Sequence, residues 1–419
     1  MNKSIKLIKN PLISGSLIIF FGSTFGNFLN FIFNIFISRN LSVQDYGTIA
    51  SLMVIVNLFG ISASAITPTI VSFTSEGFLK NDLNHVKGVY LSVLKPLLFF
   101  SALILLGFIF LNSLISEFLN VSDGKSLIIL TGLIIFLGYV SVLNTSLLQS
   151  RLSFKTISFL NLAASILKLV MGVSLILGGL KVLGAMVAIL FSYIIPYFLG
   201  LTFLKFLFKR KEEKVEIDIP QLLKFALPSG LCLLGLTAII STDLILVKHL
   251  FAEELAGIYA GLALVGKVIF FFTAPIGIVM FPLMTRRHTN RETGGKMIPL
   301  ALMLVSLSSF VITAFYFLFP DFVISLFLKN TAYLTASPLL GYYGLFISLY
   351  SLCSIMMYYF ISIKKTWIYI PIITAAVFQG IGIYLFHDSF STIIYISIFI
   401  TAVLLVIFGI YYFYLERHK

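Results

Sequence analysis

Charge is the scarcest commodity in this sequence. Only 11% of its 419 residues are Asp, Glu, Lys or Arg, where a soluble domain carries about a quarter. Hydrophobic residues make up 59% and the mean hydropathy is +1.07. A water-soluble globular fold is thereby excluded, and the chain reads as an integral membrane protein. Its apolar runs are about twenty residues or longer, which fits membrane-spanning helices and not the short alternating strands of a barrel.

Cysteine is almost missing. Cys232 and Cys353 both lie in apolar runs, which leaves no basis for a disulfide framework or a thiolate metal site. Histidine is sparse, and His85, His249, His288, His387 and His418 are scattered in loops and ends. There is no phosphate-binding loop, no dinucleotide fingerprint and no pair of carboxylates at catalytic spacing. No cofactor, no metal and no catalytic residue is therefore expected, and the chain has no means of using ATP by itself. The outer loops are too short to fold as a soluble active site.

The net charge is +13. In a soluble protein that excess would suggest nucleic acid. In a membrane protein it reflects Lys and Arg placed on cytoplasmic loops, so no nucleic-acid partner is expected. The start, MNKSIKLIKN, is basic and leads into a long apolar run without a small-residue cleavage pattern, so it reads as an uncleaved first span.

Twelve spans are expected, at 12–38, 47–74, 88–112, 124–148, 156–178, 182–206, 222–248, 255–281, 297–319, 335–361, 366–386 and 390–414. With the first end inside, Lys and Arg favour the inner loops about fourfold. Only Arg39, Lys125, Lys181, Lys248 and Lys329 fall outside. Both ends are thus expected in the cytoplasm.

The longest polar stretch, FKRKEEKVEIDIP (208–220), divides six spans from six. Three segments are expected: an N-terminal bundle at 1–207, a cytoplasmic linker at 208–220 and a C-terminal bundle at 221–419. The halves are faintly alike. ISRNLSVQDYGTIASL from Ile37 resembles VKHLFAEELAGIYAGL from Val247 at an offset of 210, which places Gly47 on Gly257, Ala50 on Ala260 and Leu52 on Leu262. An even number of spans per half gives both the same orientation, the arrangement of parallel repeats in some transporters. Pro68 and Pro275 are expected to distort the corresponding second and eighth spans.

Charges inside spans are expensive and default to function. Lys168 and Lys267 lie mid-span, and Lys95 lies nearer an end, where it could snorkel. Asp243 is the acid among them, and it could pair with Lys267 or Lys248 or serve as a gate or coupling-ion site. Three bases to one acid suit an anionic ligand such as a phosphate or pyrophosphate headgroup. Thr24, Asn27, Asn30 and Asn34 share one helical face, as do Asn161, Ser165, Lys168 and Gly172. Such stripes either bond neighbouring helices or line a hydrated cavity. On the face of Lys267 lie Ala260, Ala263 and Ala274, small enough to admit a ligand or another helix. The last third is rich in Tyr, most of it expected in the interfacial belt.

Three stretches carry a resemblance. FGNFLNFIFNIFISRNLSVQDYGTIASL is similar to the opening of the polysaccharide-unit (O-antigen-type) flippases of the multidrug/oligosaccharidyl-lipid/polysaccharide (MOP) exporter superfamily. LLQSRLSFKTISFLNL is similar to their short cytoplasmic turn, and TDLILVKHLFAEELAGIYAGLAL to their second-half signature. The resemblance implies an all-α, MATE-like polytopic membrane protein with two six-helix bundles around a central cavity. It also implies a carrier, not an enzyme, which moves an undecaprenyl-pyrophosphate-linked oligosaccharide across the bacterial inner membrane by alternating access. Lys168, Lys267 and Lys95 would meet the pyrophosphate or acidic sugars, and Asn27, Asn30, Asn34 and Asn161 the sugar hydroxyls. Asp243 would gate or couple to an ion. Membrane lipid and a polysaccharide polymerase are the implied partners. The lipid II flippase branch has basic residues on its first two helices, where this chain has Asn and Thr. The cation-coupled drug exporters have acids in first-half spans, where this chain has none. A drug antiporter of the same fold and a membrane glycosyltransferase or polymerase remain the alternatives.

Overall fold

A computed structural model of the chain describes residues 11–64, 66–121, 124–208, 219–289 and 297–417. The basic opening, most of the expected linker and the stretch 290–296 lie outside the described residues. So do the side chains of Thr24, Pro68, Arg286 and Arg287.

The described residues form helices in the order α1 (Pro11–Asn40), α2 (Val43–Ser64), α3 (Thr67–Leu79), α4 (Leu83–Phe110), α5 (Asn112–Phe118), α6 (Lys125–Ser150), α7 (Phe154–Leu175) and α8 (Lys181–Phe208). The second run is α9 (Ile219–Ile239), α10 (Thr242–Leu250), α11 (Glu253–Gly266), α12 (Val268–Thr289), α13 (Met297–Leu318), α14 (Pro320–Phe327), α15 (Leu340–Ser362), α16 (Tyr369–Leu385) and α17 (Phe390–Arg417). Each of the twelve expected spans carries a helix or a broken pair of helices. The short helices α5 and α14 were not expected.

Among the described residues, 8 stretches are long and apolar enough to cross a membrane, or up to 10 if each of two bent pairs is one span. One of the eight, Phe154–Phe208, holds both α7 and α8. They are separated by the break at Ile176–Leu180, where Gly179 has φ 92° and Lys181 φ 41°. Gly tolerates that left-handed backbone, so the chain doubles back and α8 packs on α7.

The chain divides into two compact units. One comprises Met1–Phe36 and Ile55–Gly230, the other Ile37–Val54 and Leu231–Lys419. In the first unit α6 is central and packs against α3, α4 and α8. The second is built on α15, which packs against α12, α13 and α17. Its helix is apolar around most of its circumference, as a helix buried on all sides must be. Its serines turn inward onto their own backbone: Ser351 donates to the Ile347 carbonyl and Ser354 to the Tyr350 carbonyl, each at 2.9 Å. That bond satisfies a hydroxyl where no water is at hand. Cys232 and Cys353 are free and buried.

Large apolar side chains stand exposed along the helices, among them Phe99, Phe110, Phe310 and Phe399. In a membrane these positions meet lipid. The lone tryptophan, Trp367, is exposed at the turn between α15 and α16, a place where its amphipathic ring suits the headgroup level.

Two expectations need correction. The eighth span breaks at Lys267, between α11 and α12, with a bend of 42°. It does not break at Pro275, through which α12 continues. The ring at Pro275 removes one backbone donor, and the helix carries on without the turn ending there. The tyrosines of the last third also divide. Tyr384, Tyr395 and Tyr414 are exposed, as belt residues are, but Tyr343, Tyr350 and Tyr359 are buried in the second unit.

Candidate functional site

The second unit contains two interrupted spans. The seventh bends by 44° between α9 and α10, and the eighth by 42° between α11 and α12. Each break carries one of the charges singled out in the sequence. Asp243 lies in the first turn of α10, where unpaired backbone N–H groups give the helix end a partial positive charge. Its Oδ1 accepts the Leu244 N–H at 2.8 Å. Lys267 follows the last residue of α11, at the carbonyl end, where a cation is favoured. Each charge is thus set against the helix end of opposite sign, which offsets part of the cost of burying it.

Two tyrosines complete the site. Tyr259 of α11 donates its hydroxyl to Asp243 Oδ2 at 2.9 Å, and Tyr343 of α15 donates to the same oxygen at 3.0 Å. Their rings meet edge to face, 5.9 Å between centroids. Tyr343 reaches Asp243 because Gly266 leaves room for it: a Cβ there would overlap the Tyr343 ring. The hydroxyl of Tyr316 donates to the Val265 carbonyl at 2.8 Å, in the last turn of α11 beside the break. Three helices and a helix break therefore converge on one carboxylate.

The sequence reading had offered Lys267 or Lys248 as the ionic partner of Asp243. Lys267 lies at the break beside that of Asp243, at the carbonyl end of α11. Lys248 is buried but faces the acids Glu253 and Asp45. Ala260 and Ala263, on the face of Lys267, are buried, and they admit neighbouring protein rather than open space. Sequence reasoning missed Tyr259 and Tyr343 as site residues. The signal available was a tyrosine next to each glycine-lined helix segment, GIYAG and GYYG, which marks a ring packed into a close helix approach.

In the first unit, α1 and α7 pack through small residues. Gly22 meets Ser158 and Gly26 meets Ser165. One turn beyond Lys168, Gly172 leaves room for the ring of Phe33, which a Cβ would overlap. Lys168 is half-buried, with Nζ 5.2 Å from the centroid of that ring, a cation–π arrangement. Asn30 and Asn34 are half-buried nearby on α1, and the Asn34 side chain donates to the Asn30 carbonyl at 2.8 Å. Asn27 on α1, Asn161 on α7 and Lys95 on α4 are exposed. Lys168, Asn30 and Asn34 thus belong to one packed pair of helices, and Lys95 to another helix.

Several solved structures share this architecture. A multidrug resistance MATE family transporter of the MOP superfamily in its inward-facing conformation matches with a TM-score of 0.70 at 15% identity, over 94% of this chain and 96% of that one. The outward-facing conformation of such a transporter gives 0.68 at 14% identity, over 98% and 97%. MATE in the straight conformation gives 0.66 at 14%, over the whole of both chains. No curated protein matches. The fold and its broken helices define an all-α, MATE-like, multi-pass membrane protein. Residues 36–338 match the family described as polysaccharide biosynthesis protein. The match spans most of the chain, and the chain belongs to that family.

Proposed function

We propose that the protein is a flippase which carries an undecaprenyl-pyrophosphate-linked oligosaccharide repeat unit across the bacterial inner membrane for polysaccharide biosynthesis. The observation that carries this reading is the placement of the buried acid Asp243 and of Lys267 at two adjacent helix breaks, in a chain of the polysaccharide biosynthesis family. Interrupted helices with charged residues at their ends are a transporter's way of building a polar site at membrane depth. Alternating access moves the headgroup while the lipid tail stays in the bilayer. Lys168 and Lys267 attract the pyrophosphate or acidic sugars. Asn30 and Asn34, with Asn27 and Asn161 on exposed faces, offer hydrogen bonds to sugar hydroxyls. Lys95 supplies a further positive charge at the edge. Asp243 acts as the gating or ion-coupling residue, and both ends of the chain lie in the cytoplasm. The working halves are 1–207 and 221–419, joined by 208–220. The polysaccharide polymerase is the partner that receives the product, and no nucleic acid takes part.

A second reading, a cation-coupled drug antiporter, is favoured by the likeness to multidrug transporters. The surplus of Lys over acid within the spans disfavours a cationic cargo.

Deletion of this gene alone, followed by analysis of lipid-linked sugars, tests the proposal. Accumulation of undecaprenyl-linked oligosaccharide on the cytoplasmic leaflet is expected. Absence of accumulation in a strain without a second flippase, together with new sensitivity to cationic compounds, would move the antiporter to first place.

A further inference from the structure

The turn between α15 and α16 carries charges that have no part in holding the cargo. Three backbone bonds set its shape. The Ile363 N–H donates to the Tyr359 carbonyl at 3.2 Å, Lys364 to Ile361 at 3.0 Å and Lys365 to Phe360 at 2.9 Å. The chain reverses at Lys364, in the left-handed region with φ 61°. The turn between α6 and α7 has the same bonds. Arg151 donates to Leu147 at 3.1 Å, Leu152 to Gln149 at 2.9 Å and Ser153 to Leu148 at 2.8 Å, with Leu152 at φ 58°. The two turns share a backbone and differ in their side chains. Lys364 and Lys365, both exposed, stand where the first half has Leu152 and Ser153, and Trp367 stands where it has Lys155. Arg151 of the first turn lies over the Phe206 ring, 4.5 Å from its centroid.

The second turn opens onto an amphipathic surface. Trp367, the single tryptophan of the chain, is 71% exposed. Along α16 the exposed Ile370, Val377, Phe378 and Ile381 continue from it on one helical face. Ile370 to Ile381 covers about 16 Å of helix at ~1.5 Å per residue, about half of a ~30 Å hydrocarbon core. The turn is held from behind: the Cys232 thiol of α9 donates to the Thr366 carbonyl at 3.7 Å, and Ile368 is buried. The lysines also have no acid beside them among the described residues. Asp45, Asp243, Glu253, Glu254, Asp321 and Asp388 lie toward the other end of the second unit, where α15 begins and α16 ends.

We infer that Lys364, Lys365 and Trp367 form a binding site for one anionic phospholipid, with the headgroup phosphate against the two lysines and an acyl chain along α16. Cation, amphipathic ring and apolar stripe follow one another in the order of phosphate, glycerol and hydrocarbon in such a lipid. The inference does not depend on the cargo or on any step of transport.

Because Trp367 is the single tryptophan, indole emission reports on this turn alone. The full-length protein in detergent micelles is titrated with phosphatidylglycerol or phosphatidylcholine carrying bromine high on one acyl chain, which quenches indole on contact. Half-quenching is expected at a level at least about fivefold lower for phosphatidylglycerol, since each lysine near an anionic surface contributes roughly a fivefold gain in binding. Lys364→Asn with Lys365→Gln should bring the phosphatidylglycerol curve to that of phosphatidylcholine and leave the latter in place. Asn tolerates the left-handed backbone at 364, and both side chains are exposed, so the fold is kept. Size-exclusion profiles check this, and if the double variant aggregates, Lys365→Gln alone carries the decision. Arg151→Gln with Lys155→Gln, on the matching turn, should keep the preference. Equal quenching by the two lipids in the parent, no quenching by either, or an undiminished preference in the lysine variant overturns the site. Loss of the preference in the Arg151 variant does so too, because it traces the effect to overall charge. Displacement of the brominated phosphatidylglycerol by undecaprenyl pyrophosphate equimolar with the protein would assign the turn to the cargo and likewise overturn the inference.

Discussion

Tyr343 donates its hydroxyl to Asp243 at 3.0 Å, joining residues a hundred positions apart in sequence across the core of one compact unit. The bond ties α15, the central helix of that unit, to the interrupted seventh span. Tyr343→Phe removes a donor to a buried acid, so it should lower stability by about 1.5–3 kcal/mol, the range for hydrogen bonds to charged groups. Tyr259→Phe should act similarly. Thermal unfolding in detergent measures both, and an unchanged midpoint in each would remove the tyrosines from the support of Asp243.

Asp243 and Lys267 lie at the two helix breaks of the second unit. Asp243→Asn or Lys267→Met alone leaves one buried charge without its counterpart, at a cost of about 3–5 kcal/mol. The double variant should lose clearly less than the sum of the two. A double-mutant cycle on unfolding midpoints reads the coupling directly, and additive losses would mean that the two charges do not sense each other.

Gly266 makes space for the Tyr343 ring. Gly266→Ala should cost about 1–3 kcal/mol through overpacking and should push Tyr343 away from Asp243. Combined with Tyr343→Ala, which removes the ring it overlaps, it should therefore add little further loss of transport. Accumulation of lipid-linked sugar in a complemented deletion strain gives the measurement. A full additional loss would show that Gly266 acts elsewhere.

Lys168 and Lys95 separate in the same assay. Lys168 is half-buried over Phe33, whereas Lys95 is exposed on α4. Lys168→Met keeps the apolar stem and removes the charge, so transport should be lost while the protein stays in the membrane. Lys95→Met should lower transport less than Lys168→Met does, since Lys95 is exposed and adds its charge only at the edge of the site. Equal loss in both variants would place Lys95 at the centre of the site and not at its edge.

The charged candidates were legible because a charge is conspicuous against an apolar background. Asp243, Lys168 and Lys267 stood out for that reason alone. The spacing of Gly22, Gly26 and Phe33 on α1 and of Ser158, Ser165 and Gly172 on α7 shows why the amide stripe was harder to interpret. Side chains on adjoining faces of one helix either pack or stay open, and the period alone does not choose. Tyr343 was unreadable for a related reason. Tyrosine serves an interfacial belt and a buried network equally well, and only the neighbour across the helix pair tells which.

By itself the sequence determined the membrane class, the succession of helices and the repeat that sets Gly47 on Gly257. Those follow from local properties: hydropathy over about twenty residues and the identities of residues at a fixed offset. Tertiary structure alone decided that the seventh and eighth spans break beside Asp243 and Lys267, that Tyr259 and Tyr343 both reach the acid, and that the start of α2 belongs with the second unit. These depend on which helix ends meet in space. A helix end's partial charge and its open backbone groups act over only a turn or so, so their partners are fixed by packing and not by distance along the chain.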